Sequence, residues 1–136
     1  MHKDRTLWES NEKEIEELLL GHKVIANESN DSLVLDNGVV LQIYPNVGCY
    51  GCESGNYYLQ HIASVNNAIT NVEFVNDYED YYAYYDNECY KDYYQHYRIF
   101  VIADGIKTEL LDVYGTDGNG YYGTGYTIDV YIPDED

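Results

Sequence analysis

The sequence predicts an α+β domain, a curved, mainly antiparallel β-sheet of about six or seven strands with an N-terminal amphipathic helix. Three observations lead there. Apolar residues recur at helical intervals near the N-terminus, the apolar period changes to two from His22 onward, and turn residues (Gly, Asn, Asp) punctuate the period-two runs. At 136 residues the chain has the length of one domain and can bury a core without a metal or disulfide staple.

The helix is expected over Thr6–Leu20. Thr6 and Glu9 have capping-box spacing, Trp8, Ile15, Leu18 and Leu19 share one side, and Gly21 ends the run. Glu12, Glu14, Glu16 and Glu17 make the other side acidic. A short strand follows over Lys23–Glu28. Ser32–Leu35 and Val39–Tyr44 then flank Asp36-Asn37-Gly38, a tight-turn signal, so they read as a hairpin. Pro45, Asn46 and Gly48 break the pattern and lead into a cysteine segment. Tyr57–Val65 fits either a short helix or a strand, and Thr70–Val75 reads as a strand. A second hairpin, Tyr94–Ala103 with Ile106–Tyr114, turns at Asp104-Gly105. The glycine-rich turn Gly115–Gly125 precedes a last strand, Tyr126–Ile132. The resulting plan is a helix at 6–20, a β-rich core at 21–76 and 94–132, an insert at 77–93 and an acidic tail at 133–136.

That insert, which either forms a long loop or extends two strands into a protruding hairpin, is unlike the rest. The eighteen residues from Asp77 to Tyr94 hold eight tyrosines and six carboxylates against one cation, Lys91. Tyrosine offers a large rigid contact surface with a polar tip at low entropic cost, which is why it concentrates at binding surfaces. Carboxylates beside it select a cationic partner. The candidate partner-binding residues are Asp77, Tyr78, Glu79, Asp80, Tyr81, Tyr82, Tyr84, Tyr85, Asp86, Glu88, Tyr90 and Asp92. The plain alternative is a solvated acidic loop that happens to be rich in tyrosine.

Seven Lys and Arg against 25 Asp and Glu give a net charge of -18. Such a balance excludes ordinary binding to nucleic acid or to an anionic membrane, which require a basic face. It favours a divalent metal or a protein surface that is basic because it handles nucleic acid. There is no apolar run long enough for a membrane span and no secretory h-region, since Leu18–Leu20 stops at Gly21, and three cysteines do not make a secreted disulfide framework. A soluble, cytosolic protein is expected.

Motifs for chemistry are sparse. Cys49-x-x-Cys52 is half of a zinc site that Cys89 with His61 or His96 would have to complete, and the spacing of the remaining ligands matches no known pattern. Reduced cysteines at a turn explain the same residues. No GxSxG, HExxH or P-loop occurs. The Gly115–Gly125 turn lacks the lysine and following helix of a phosphate cradle, and Asp117, Asn119 and Asp129 lack EF-hand spacing. Neither a cofactor nor a catalytic residue is expected.

The order Gly21-His-Lys-Val-Ile25, the Asp36-Asn-Gly hairpin with Val39–Ile43, the Cys49–Glu53 segment followed by Tyr58-Leu-Gln-His-Ile62, Asn71-Val-Glu73 and Asn119-Gly-Tyr-Tyr-Gly123 resembles a family of small, mostly phage-encoded domains. That family carries a Cys-Cys-Ser-like segment and a Ser-Asn-Gly-Tyr-Tyr-Gly turn near its C-terminus. Here the cysteines are opened to Cys49-Tyr-Gly-Cys52, and Gly118 replaces the serine. The resemblance spans about residues 21 to 130 and implies a phage or prophage origin, hence the cytoplasm of a bacterial host. The Asp77–Tyr94 stretch has no counterpart in it.

Charge, insert and resemblance together lead to an expected function. It is a phage-encoded inhibitor of a host antiviral defence protein, a CRISPR effector or restriction-type nuclease, acting by stoichiometric binding as an acidic nucleic-acid mimic and not as an enzyme. On an extended strand, carboxylates at i and i+2 lie about 6.6–7 Å apart on one side, close to the spacing of successive phosphates, and Asp77/Glu79 and Asp86/Glu88 have this separation in sequence. Two other readings stay open. One is a sponge for a nucleotide immune messenger, with Tyr121 and Tyr122 walling the glycine turn and Arg98 or Lys107 offsetting the negative field. The other is a metal-stabilised module built on Cys49 and Cys52. A homodimer through a tyrosine-rich edge is open as well.

Overall fold

The computed structural model describes residues 1–46, 56–85, 88–116 and 125–134, with the backbone alone described at 79–85 and 88–93. The fold corrects the α+β expectation. Among the described residues nine strands form two antiparallel sheets, and the one α-helix spans Glu12–Leu19 (α1). The five-stranded sheet is ordered β1 (His2–Trp8), β9 (Tyr126–Ile132), β4 (Val40–Pro45), β3 (Ser32–Leu35), β2 (Val24–Asn27). The four-stranded sheet is ordered β5 (Asn56–Ile62), β8 (Ile106–Thr116), β7 (Glu88–Ala103), β6 (Ile69–Tyr85). Inward-facing residues of both sheets, with Ile15 and Leu19 of α1, make one hydrophobic core.

The difference begins at the N-terminus. His2–Trp8 pairs with β9 from His2↔Ile132 to Trp8↔Thr127, so the expected start of the helix, Thr6–Trp8, belongs to an edge strand. Thr6 does not cap a helix; its hydroxyl donates to Asp129 Oδ1 at 2.6 Å on the neighbouring strand. The break comes at residues 8–11, where the Trp8 N–H donates to Asn11 Oδ1 at 2.8 Å and the Asn11 N–H returns to Trp8 O at 2.9 Å. Only after that turn do Ile15 and Leu19, four apart, lie on the buried side of a helix.

Both hairpin turns form. Asp104 and Gly105 have φ of 52° and 73°, the left-handed pair of a type I′ turn, and Ala103 pairs directly with Ile106. The ambiguous stretch after residue 56 is strand β5. The largest extension is in β6 and β7, which pair from Ile69↔Ala103, with a shift of register before Asn71, and then without interruption to Tyr85↔Glu88. Most of the predicted insert is therefore a direct prolongation of the two strands that precede and follow it.

Among the described residues three tyrosines belong to the interior. Tyr57, Tyr97 and Tyr126 are all buried, and Tyr97 joins the other two, with ring centroids 6.0 Å from Tyr57 and 5.8 Å from Tyr126. Burial, with Glu9 and Glu12 nearby, pushes the Tyr126 phenol well above its ordinary pKa, so it stays neutral. The cluster fixes one backbone choice: a Cβ on Gly125 would lie 2.2 Å from Tyr97 Cε2.

Outside the core, a polar clasp links the segment after α1 to the β3–β4 turn. The His22 Nδ1–H donates to Asp36 Oδ1 at 2.7 Å and the Lys23 N–H donates to Asp36 Oδ2 at 3.2 Å. These bonds, His22 first, hold the Asp36 carboxyl below its ordinary value. A depressed carboxylate pKa contributes stability above the unfolded value, about 3.9, and loses it as pH falls through the folded one. Asp36→Asn should therefore lose less melting temperature than the parent protein between pH 6 and pH 3. Equal losses in both proteins would mean that the clasp adds nothing.

Candidate partner-binding arm and outer sheet face

Register places the arm. The last described pair between β7 and β8 is Tyr94↔Thr116. Beyond it the β6–β7 ladder continues from Asp80↔Tyr93 through Tyr82↔Lys91 to Tyr85↔Glu88. Among the described residues no third strand pairs with this ribbon, whose six pairs span roughly 20 Å end to end at about 3.3 Å per residue. The expected partner-binding residues other than Asp86 thus fall on these two paired strands. Asp77 and Tyr78 stand at the base of the ribbon, both exposed. The side chains of Glu79, Asp80, Tyr81, Tyr82, Tyr84, Tyr85, Glu88, Tyr90 and Asp92 are outside the described set, as are Asp86 and the Tyr121–Tyr122 turn altogether.

A second feature escaped the sequence reading. Along β7 the buried Tyr97, Ile99 and Val101 alternate with His96, Arg98 and Phe100, which face away from the core. β8 and β5 alternate likewise: Val113 is buried and Tyr114 exposed, Tyr57 is buried and Tyr58 exposed. This outer face has two unlike halves. Near the β7–β8 turn it closes on itself: Lys107 Nζ and the Arg98 guanidinium lie 5.0 and 5.6 Å from the Phe100 ring centre, and Lys107 pairs with Glu73 at 2.7 Å. Near the arm it is aromatic. Tyr94 stacks on Tyr114 (centroids 6.0 Å, interplanar 19°), His96 meets Tyr114 edge-on at 5.4 Å, and Tyr58 is the register partner of Tyr114 on β5.

Carboxylates divide the halves. Asp77 Oδ2 accepts from Arg98 Nη2 at 2.6 Å, and Asp112 Oδ1 lies 2.5 Å from His96 Nε2. A sequence signal for this face did exist, because Tyr58 and Tyr114 each sit one residue from a core position in a period-two run.

Metal ligation gains no support here. Cys49 and Cys52 are outside the described residues, as is the Cys89 side chain, and no group of three or more His, Cys, Asp or Glu among the described residues is placed to hold a metal. His61 lines an open cleft of about 250 Å³ with Glu28, Asp31, Leu59, Gln60 and Ile62, while His96 is turned to Asp112. Among the described residues no helix is long and apolar enough to cross a membrane.

Fold and surface define a two-sheet, mostly β protein that prolongs one hairpin into an acidic, tyrosine-rich ribbon. Residues 17–128 match the family described as a domain of unknown function, DUF7448, and the chain belongs to that family. Neither the curated proteins nor the solved structures yielded a match.

Proposed function

We propose that this protein is a phage-encoded inhibitor that works by stoichiometric binding, occupying the basic nucleic-acid channel of a host defence protein such as a CRISPR effector or a restriction-type nuclease, in the cytoplasm of the bacterial host. The observation that carries the reading is the arm: the paired extension of β6 and β7 beyond Tyr94↔Thr116, the last described pair of β7 with β8, in a chain of net charge -18. A two-stranded ribbon alone is marginal in water, and the six carboxylates of Asp77–Tyr94 repel one another along it. A cationic groove relieves that repulsion and buries the tyrosines where bases or sugars would otherwise stack. No catalytic step is part of this reading; the protein acts as a competitor.

The test is a pull-down from host lysate with the intact protein beside a version lacking Glu79–Lys91, washed at low and high salt. Retention of a nucleic-acid-handling protein by the intact form alone, undiminished by nuclease treatment of the lysate, is the expected result. If both forms retain nothing basic, the arm is a solvated hairpin and the mimic reading falls.

A further inference from the structure

We infer that the outer face of the five-stranded sheet is where two copies of this chain meet, back to back, through an apolar row that crosses four strands. The inference goes beyond the proposed function and does not depend on it.

Alternation and register define the row. In β9, β4, β3 and β2 the buried Val130, Leu41, Leu33 and Val24 turn into the core, so their chain neighbours turn outward. Register aligns four of those neighbours side by side, in the order Tyr131, Val40, Val34, Ile25. The row is roughly 14 Å long at about 4.8 Å per strand. Tyr131, Val40 and Val34 are half-buried by the residues around them, and Ile25 is 66% exposed, the highest value among the described large hydrophobics. An antiparallel sheet with one solvated face normally turns polar residues outward, so an unbroken apolar row there marks a contact surface. It lies toward the Gly38 end of the sheet, away from Asn46 and Gly125, where the described chain stops and resumes.

Charge selects the occupant. The chain carries a net charge of -18, yet the outward positions of these five strands hold one carboxylate, Asp129. It is already neutralised: Lys3 Nζ lies 3.4 Å from Oδ1, the Thr6 hydroxyl donates to the same oxygen at 2.6 Å, and the side chain is only 15% exposed. A basic partner gains nothing from such a face. A second copy is repelled by the acidic side of α1 and by the arm, and meets no net charge here. The sheet edges do not offer copies an alternative. Beside β2, Val24 exchanges backbone hydrogen bonds with Val65, and the Ala26 N–H donates to Ser64 Oγ at 2.8 Å. At the other edge β1 carries a bulge and the charged Lys3, Asp4 and Arg5, which discourage strand addition.

The row is also self-complementary. A two-fold axis between Val40 and Val34 lays it reversed upon itself, apolar on apolar, as an isologous contact requires. The arms belong to the other sheet, across the core. Three inter-sheet spacings of about 10 Å, roughly 30 Å in all, then separate the two arm-bearing sheets, well beyond a Debye length of about 8 Å. A face this small sits at the low end of specific interfaces, so the association is reversible.

The experiment is sedimentation velocity on the full chain over a concentration series at low and physiological salt. The parent should pass reversibly from monomer to dimer, more readily at the higher salt, which screens repulsion without weakening an apolar contact. Ile25→Lys should weaken the dimer roughly tenfold or more, by placing an unpaired ammonium in a dry contact. Repulsion cannot account for that loss, because the substitution makes the net charge less negative. Ile25→Thr, a β-branched residue suited to an exposed strand position, should weaken it in the same direction, and Ile25→Val should leave it within about threefold. The Tyr81→Ala/Tyr82→Ala/Tyr84→Ala/Tyr85→Ala variant should dimerise like the parent. A monomer at every concentration and salt, a dimer that salt dissolves, a dimer indifferent to both Ile25→Lys and Ile25→Thr, or one lost in the four-tyrosine variant would each overturn the inference.

Discussion

Tyr97→Ala is expected to lower the stability of the folded protein by about 3–5 kcal/mol, the range for deleting a large buried aromatic. Tyr97 is 7% exposed and stands where the two sheets meet, its ring against Tyr57 of β5 on one side and Tyr126 of β9 on the other. Its hydroxyl donates to Gln95 two residues earlier on the same strand. Truncation removes the ring from both aromatic contacts at once, and Gly125 beside it has no side chain to fill the space. Against a typical total of roughly 5–15 kcal/mol, that loss leaves little in reserve. Tyr97→Phe is the control. It keeps both ring contacts and gives up one hydrogen bond, so its cost should be about 1 kcal/mol. Urea unfolding followed by near-ultraviolet circular dichroism measures both variants. A cost below about 1 kcal/mol for Tyr97→Ala would show that the sheets are joined by the aliphatic core alone.

The contrast between Tyr97 and the tyrosines of the arm explains what the sequence made legible. Composition marks residues 77–94 because tyrosine and carboxylate are concentrated there, but it cannot separate a core tyrosine from a surface one. Position in a period-two run can: Tyr97 shares its side with Ile99 and Val101, and Tyr126 shares its side with Ile128 and Val130. The hairpins about Asp36–Gly38 and Asp104–Gly105 were readable from their turn residues, and β9 has the expected bounds. Strand β1 was not readable. Six of its seven residues are exposed, so it has almost no apolar alternation and is held by backbone pairing to β9 with Leu7 as its anchor. Thr6 and Glu9 then imitate a helix start by spacing alone. Local preference left a long loop and an extended hairpin both open for the insert, because Asp and Asn are poor strand formers. Register decides between them: Val72↔Val101 and Phe74↔Ile99 align the strands in the core, and the ladder continues outward from there.

In the proposed complex, replacing Tyr81, Tyr82, Tyr84 and Tyr85 together by alanine should weaken binding to the retained partner by roughly 100-fold or more, equivalent to about 2.7 kcal/mol. Any single carboxylate change in the arm should cost less than about tenfold. The asymmetry has a physical source. An ion pair at an accessible rim is worth about 0–1 kcal/mol because water and salt screen it, whereas an aromatic anchor that is fully desolvated on binding commonly costs about 2 kcal/mol or more to truncate. Carboxylates act earlier, on the encounter. With a net charge of -18, the association rate should fall steeply between low and physiological salt. The dissociation rate should respond chiefly to the tyrosine changes. The substitutions lie on a ribbon with no third strand among the described residues, so the melting temperature should stay close to that of the parent and a binding loss is not a folding loss. Surface plasmon resonance across a salt series resolves the two rates. If single carboxylate changes abolished binding while the four-tyrosine variant bound normally, the arm would be acting as a row of charges alone, and the aromatic content of Asp77–Tyr94 would need another explanation.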